Sequence, residues 1–81
     1  MRIYLQIPAK DNHAPRFVQL ILQNDLLGGC TLIKESGQQG QRGRSSRNHF
    51  NSQDDAVTAM EQERNLQIKR GYQVMFVQGI A

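Results

Sequence analysis

Apolar and polar side chains alternate along residues 1–7: Ile3, Leu5 and Ile7 fall on one side of an extended chain, and Arg2, Tyr4 and Gln6 on the other. A period of two is that of a half-buried β-strand. Pro8 ends the pattern, and the polar, proline-bounded stretch 9–15 reads as a loop in which Asp11 and Asn12 supply turn conformations. Alternation resumes at residues 16–23, where Phe17, Gln19 and Ile21 oppose Val18, Leu20 and Leu22. Apolar residues on both sides are the mark of a central strand. Asn24, Asp25, Gly28 and Gly29 then signal a hairpin connection, through Leu26 and Leu27, into a third strand over residues 30–35, with Cys30 and Leu32 on one side and Thr31 and Ile33 on the other.

Residues 36–44 break the alternation. Gly37, Gly40 and Gly43 recur at a spacing of three and call for a turn with unusual backbone angles or close backbone approach, and Arg42, Arg44 and Arg47 project from the same short region. Residues 44–50 are polar up to Phe50, which predicts a fourth strand with an exposed polar face and Phe50 plugging the core. Ser52 followed by Asp55 resembles a capping box with Asp in place of Glu or Gln, and Asp54 and Asp55 suit the positive end of a helix macrodipole. The helix that follows puts Ala56, Ala59, Met60, Glu63 and Gln67 on one face, with Val57, Arg64 and Ile68 beside them, a narrow apolar stripe on a polar helix. Lys69 and Arg70 suit its C-terminal end, and Gly71 the left-handed position after it. Residues 72–77 return to strand, with Tyr72, Val74 and Phe76 opposite Gln73, Met75 and Val77, and the chain past Val77 is expected to fray. The order predicts one α+β domain over residues 1–78, an antiparallel β-sheet of about five strands with one long helix packed across it, and a tail at 79–81.

Composition narrows the partners more than the fold. A chain of 81 residues buries only roughly 60% of its surface, so the core is small. Hydrophobic residues at 38% and charged residues at 21% are ordinary for a folded domain. The net charge of +3 permits a polyanionic partner without requiring one. Cys30 is the one cysteine, which excludes an internal disulfide and a cysteine cluster for zinc; it reads as a small buried hydrophobe in a reducing, cytoplasmic compartment. No apolar run approaches the roughly 20 residues that span a bilayer, and no secretory pattern opens the sequence. His13 has no second histidine or carboxylate at metal-ligand spacing and reads as a solvated loop residue, so neither metal nor cofactor is expected.

The glycine-spaced turn, the capped helix and the Lys69-Arg70-Gly71-Tyr72 close, in that order, make the chain resemble a WGR domain over almost its whole length. That family is named for a Trp-Gly-Arg motif at the end of a strand, and here Ser36, Gly37 and Gln38 stand at the motif, with Gly40 and Gly43 following. Arg16 and Phe17 match the family's basic-aromatic entry to its second strand, and Phe50, Ser52, Asp55 and Ala56 resemble its helix start. The resemblance implies a non-enzymatic binding module of the kind found in poly(ADP-ribose) polymerases and in small bacterial proteins. In the polymerases the domain helps bind a DNA break, with the Trp and Arg at the nucleic-acid surface. Ser36 and Gln38 depart from both: serine cannot stack on a sugar or base, and glutamine carries no charge to offset a phosphate.

Two functional classes follow. In the first, Lys34, Arg42, Arg44 and Arg47 cluster around a loop whose glycines expose backbone N–H groups, a combination suited to nucleic-acid phosphates, with Glu35 offsetting part of the field. The same arginines would also serve simply to keep a loop soluble. Tyr4, Phe17 and Phe50 are expected to fill the core rather than to act as stacking platforms. In the second class the chain is a protein-interaction module that has lost the family's DNA-contacting side chains, its glutamines Gln38, Gln39 and Gln41 forming a wet interface. Enzymatic activity is not expected. His13, His49, Asp54, Asp55, Glu61 and Glu63 form no paired acid–base set, and the Gly37, Gly40, Gly43 spacing is no nucleotide fingerprint.

Overall fold

A computed structural model, which describes residues 1–10, 12–26 and 28–79, shows one five-stranded antiparallel sheet crossed by a single helix. In chain order the elements are β1 (Arg2–Ile7), β2 (Arg16–Asn24), β3 (Cys30–Gln38), β4 (Arg44–Phe50), α1 (Gln53–Lys69) and β5 (Gln73–Gln78). The spatial order is β4-β3-β2-β1-β5, so the chain enters at an inner strand, meanders to one edge, and returns along α1 to the other edge. Asp11, Leu27, Ile80 and Ala81, assigned above to turns or tail, lie outside the described residues.

The alternation read from the sequence decides which side chains meet the helix. Ile3 and Leu5 of β1, Val18, Leu20 and Leu22 of β2, and Cys30 and Leu32 of β3 pack with Ala56 and Met60 of α1 in one buried cluster. Phe50 closes it at the end of β4, as expected, and Tyr72 closes it before β5. The apolar stripe of α1 is indeed narrow: among its described residues only Ala56, Met60 and Gln67 are buried. Ser52 caps the helix by accepting a hydrogen bond from the Asp55 N–H at 3.2 Å, and Gly71 takes the left-handed conformation at φ 101°.

A polar strap holds the rest of the helix to the sheet. The buried Gln67 amide donates to Glu63 Oε1 at 2.8 Å, and the Lys34 ammonium of β3 reaches the same oxygen at 2.6 Å. Burial raises the pKa of Glu63, but hydrogen bonds from Lys34 and Gln67 and the charges of Lys34 and Arg70 outweigh it, leaving the carboxyl below its ordinary value of 4.5. A carboxyl lowered in the folded state stabilises the fold above the unfolded pKa, and that contribution is lost as pH falls through the folded one. Thermal melts should therefore show Glu63→Gln less stable than wild type at neutral pH, with the gap closing as both are taken below the ordinary carboxylate range. A gap constant with pH would refute the strap.

Two expectations are corrected. Tyr4 and Phe17 do not join the core: they lie on the sheet face away from the helix, Tyr4 stacked on Phe17 at 6.1 Å between centroids and on Phe76 of β5 at 5.3 Å. The physical reason is parity, since Tyr4 alternates with the buried Ile3 and Leu5 and Phe17 adjoins the buried Val18. The second correction concerns length. β3 runs to Gln38 rather than stopping at residue 35, because β2 pairs with it all the way from Arg16, opposite Gln38, to Asn24, opposite Cys30. Gln78, expected beyond the last strand, also pairs, with Arg2.

Candidate functional site

Extending β3 moves the motif positions into the strand and confines the turn to residues 39–43. Its glycines have different physical reasons. Gly40 turns the chain at φ 86°, whereas Gly37 and Gly43 let two backbones touch: a Cβ on Gly37 would stand 3.0 Å from the Gly43 Cα and 3.2 Å from the Phe17 ring. The motif glycine thus seats the stacked aromatic of β2 against the base of the turn. The Gln39 N–H donates to the Pro15 carbonyl at 2.9 Å, which ties the turn to the loop between β1 and β2.

That loop, the turn and the C-terminal end of α1 all lie at one end of the sheet, as the antiparallel order requires. Six of the ten Lys and Arg residues gather there: Lys10, Arg16, Arg42, Arg44, Lys69 and Arg70. Asp25, Asp54 and Asp55 belong to the β2–β3 connection and the helix N-terminus, at the opposite end. The domain measures 45 × 23 × 21 Å, so it is an elongated body with its charge polarised from end to end.

At the basic end Arg16, Arg42 and Arg44 line one concavity with Ser36, Gly37, Gln38, Gln41 and Tyr72. Arg44 is the cross-strand partner of Ser36, and Arg16 that of Gln38. Both arginines therefore flank positions where the motif would carry its own readers. Tyr72, half-buried, brings to the same concavity an aromatic ring that Ser36 does not supply.

Of the cations singled out in the sequence, Arg42 and Arg44 come together here. Lys34 shares a smaller concavity with Arg44 and Ser36, but its ammonium is engaged by Glu63. Arg47 is paired with Ile33 and lies on the opposite sheet face, because three residues along a strand reverses the side from Arg44. Glu35 lies on that opposite face as well, paired with Ser45, and so does not sit among Lys34 and Arg44. Arg16 and Tyr72 were not among the candidates. Only the Arg16–Phe17 and Gly71–Tyr72 matches to the family pattern marked them.

The histidines are held apart from this site. His13 is exposed in the first loop, and the His49 Nδ1 lies 2.7 Å from Asp25 Oδ2 at the far end of β4. Asp25 also accepts from the Gly29 N–H at 2.9 Å, so the pair fastens the β2–β3 connection to the edge strand. Cys30 is buried and free. Among the described residues no group of three or more His, Cys, Asp or Glu side chains could hold a metal ion, and no helix is long and apolar enough to cross a membrane.

The profile of the WGR domain family matches residues 1–76, nearly the whole chain. The chain belongs to the WGR domain family. WGR domains are nucleic-acid-binding modules, small domains of a binding type that are not catalytic by themselves. Neither a curated protein nor a solved structure matches the chain.

Proposed function

We propose that this WGR domain binds nucleic acid, and DNA in the first place, by placing sugar-phosphate backbone in the concavity lined by Arg16, Arg42 and Arg44. The observation that carries the reading is the convergence of three arginines from β2, the turn and β4 around the motif positions Ser36 and Gln38. Guanidinium groups suit phosphate oxygens through paired, charge-assisted hydrogen bonds. Among the described residues, Asp25, Asp54 and Asp55 stand at the far end and Glu63 is engaged by Lys34, and no Asp or Glu lines the arginine concavity itself. With serine and glutamine in place of Trp and Arg, binding rests on backbone charge, and Tyr72 is the one ring in the concavity available to a sugar or base.

Fluorescence anisotropy with a labelled nicked duplex tests the reading. Binding that weakens linearly in log–log coordinates as salt rises is the expected result. Absence of binding to nicked duplex, single strand and RNA alike at low salt would end it.

A second reading, a module for a protein partner, is favoured by β5. Val74, Met75, Phe76 and Val77 form an edge strand whose residues are all exposed, with neither charge nor proline to blunt it. A specific partner that survives nuclease treatment and is lost on Phe76→Lys would support this reading.

A further inference from the structure

The basic end holds a second concavity that neither the motif nor the family match assigns. Ile7, Pro8 and Ala14 form its apolar wall, and Lys10, His13 and Arg16 its polar one. Lys10 and His13 are held side by side: they form an isolated antiparallel bridge, with the His13 N–H donating to the Lys10 carbonyl at 2.9 Å. Side chains of a directly opposed antiparallel pair point to the same side. Asn12 closes this small turn at φ 70°, a left-handed conformation that asparagine tolerates better than other side-chain-bearing residues.

The loop is fastened to the arginine concavity. Besides the Gln39 to Pro15 backbone bond, the Gln38 side-chain amide donates to the Ala14 carbonyl at 3.4 Å. Arg16 lines both concavities and stands between them. Arg44 on β4, Arg16 on β2 and the end of β1 therefore form a row across the end of the sheet. Three strand spacings separate β4 from β1, about 14 Å in all. Consecutive phosphates of one strand stand farther apart than the roughly 3.4 Å axial rise of B-form DNA, and a row of this length reaches beyond a single phosphate.

We infer that Lys10, His13 and Arg16 form a second phosphate-binding lobe, holding backbone phosphate of the same nucleic-acid strand that crosses the arginine concavity. This rests on the nucleic-acid reading above. The lobe extends the contact along the strand, and its apolar wall covers the sugar edge of the nucleotide it holds. Phosphodiester is the chemistry recognised, with no base read.

The test measures salt dependence of binding to a nicked duplex for wild type, Lys10→Ala and Lys69→Ala. Lys10→Ala is expected to weaken binding about threefold to tenfold at low salt and to lower the slope of log K against log salt by about 0.9, the loss of one phosphate contact. Lys69→Ala removes the same charge from the same end but lines neither concavity, and is expected to keep the slope. A wild-type slope in Lys10→Ala with binding intact, or an equal loss of slope in both variants, overturns the lobe while leaving the arginine concavity standing. Failure of wild type itself to bind would instead remove the reading on which the lobe rests. Inorganic phosphate at the same phosphate concentration is expected not to displace the duplex; displacement sensitive to Lys10→Ala would make the lobe a small-anion site and overturn the inference.

Discussion

Replacing Arg16, Arg42 and Arg44 together by alanine should lower affinity for duplex DNA by about two orders of magnitude at low salt. A charge-assisted hydrogen bond contributes about 1.5–3 kcal/mol where it is fully formed, and three exposed contacts that couple to one another will give less than their sum. The slope of log K against log salt should fall by about 2.7, three contacts at 0.9 each. Arg47→Ala supplies the control. It removes one positive charge from a residue only three positions from Arg44, yet its side lies across the sheet, so its slope should stay near that of wild type. If Arg47→Ala and Arg44→Ala flatten the slope equally, the side of the sheet has no bearing on binding and the concavity is not the site.

The contrast between Arg44 and Arg47 also shows how far the sequence could be read. Apolar alternation located four of the five strands and a polar run ending in Phe50 the other, the glycines marked the turn before it, and the cap at Ser52 and the stop at Gly71 located the helix and its limits. These features are local, written in residues one to four apart. The candidate site is only half local. Arg42 and Arg44 are neighbours in the chain, but Arg16, Tyr72 and Lys10 reach the same end through strand order, which no spacing in the sequence records. Chain proximity misled in the other direction by grouping Arg47 with Arg44, although an odd separation along a strand puts two residues on opposite faces.

Tyr4 and Phe17 make the same point about packing. Their size and hydrophobicity argued for the core, while their parity with Ile3, Leu5 and Val18 argued for the other face, and parity won. What compensates them is each other. Ring planes 6° and 8° apart carry the stack from Phe17 through Tyr4 to Phe76, and Gly37 leaves room for Phe17 at one end. Only the ring faces turned towards one another in that stack are closed to a base.

The second large effect is on stability. Met60 is fully buried and is the longest apolar side chain that α1 contributes to the core, since Ala56 is short and Gln67 is polar. Met60→Ala should cost about 2–5 kcal/mol through lost burial and the cavity left behind. For a domain of this size the whole stability is about 4–12 kcal/mol, so the variant should melt at least about 10 °C lower. Leu66→Ala, at a helix position 42% exposed, should cost clearly less than Met60→Ala. Equal shifts for the two variants would mean that the helix does not dock through Met60. Because α1 ends at Lys69 and leads through Gly71 straight to Tyr72, loosening it should also perturb the concavity from one side.

Nucleic acid is expected to meet the end of the sheet that carries the β1–β2 loop and the β3–β4 turn. Amide chemical-shift titration of the isotope-labelled domain with a nicked duplex tests it most directly. Shifts are expected at Lys10, His13, Arg16, residues 36–44 and Tyr72, with His49, Gly29 and the ring-bearing residues Tyr4 and Phe76 unmoved. Shifts centred on Arg47 and the aromatic stack, or on the acidic end around Asp54 and Asp55, would contradict it.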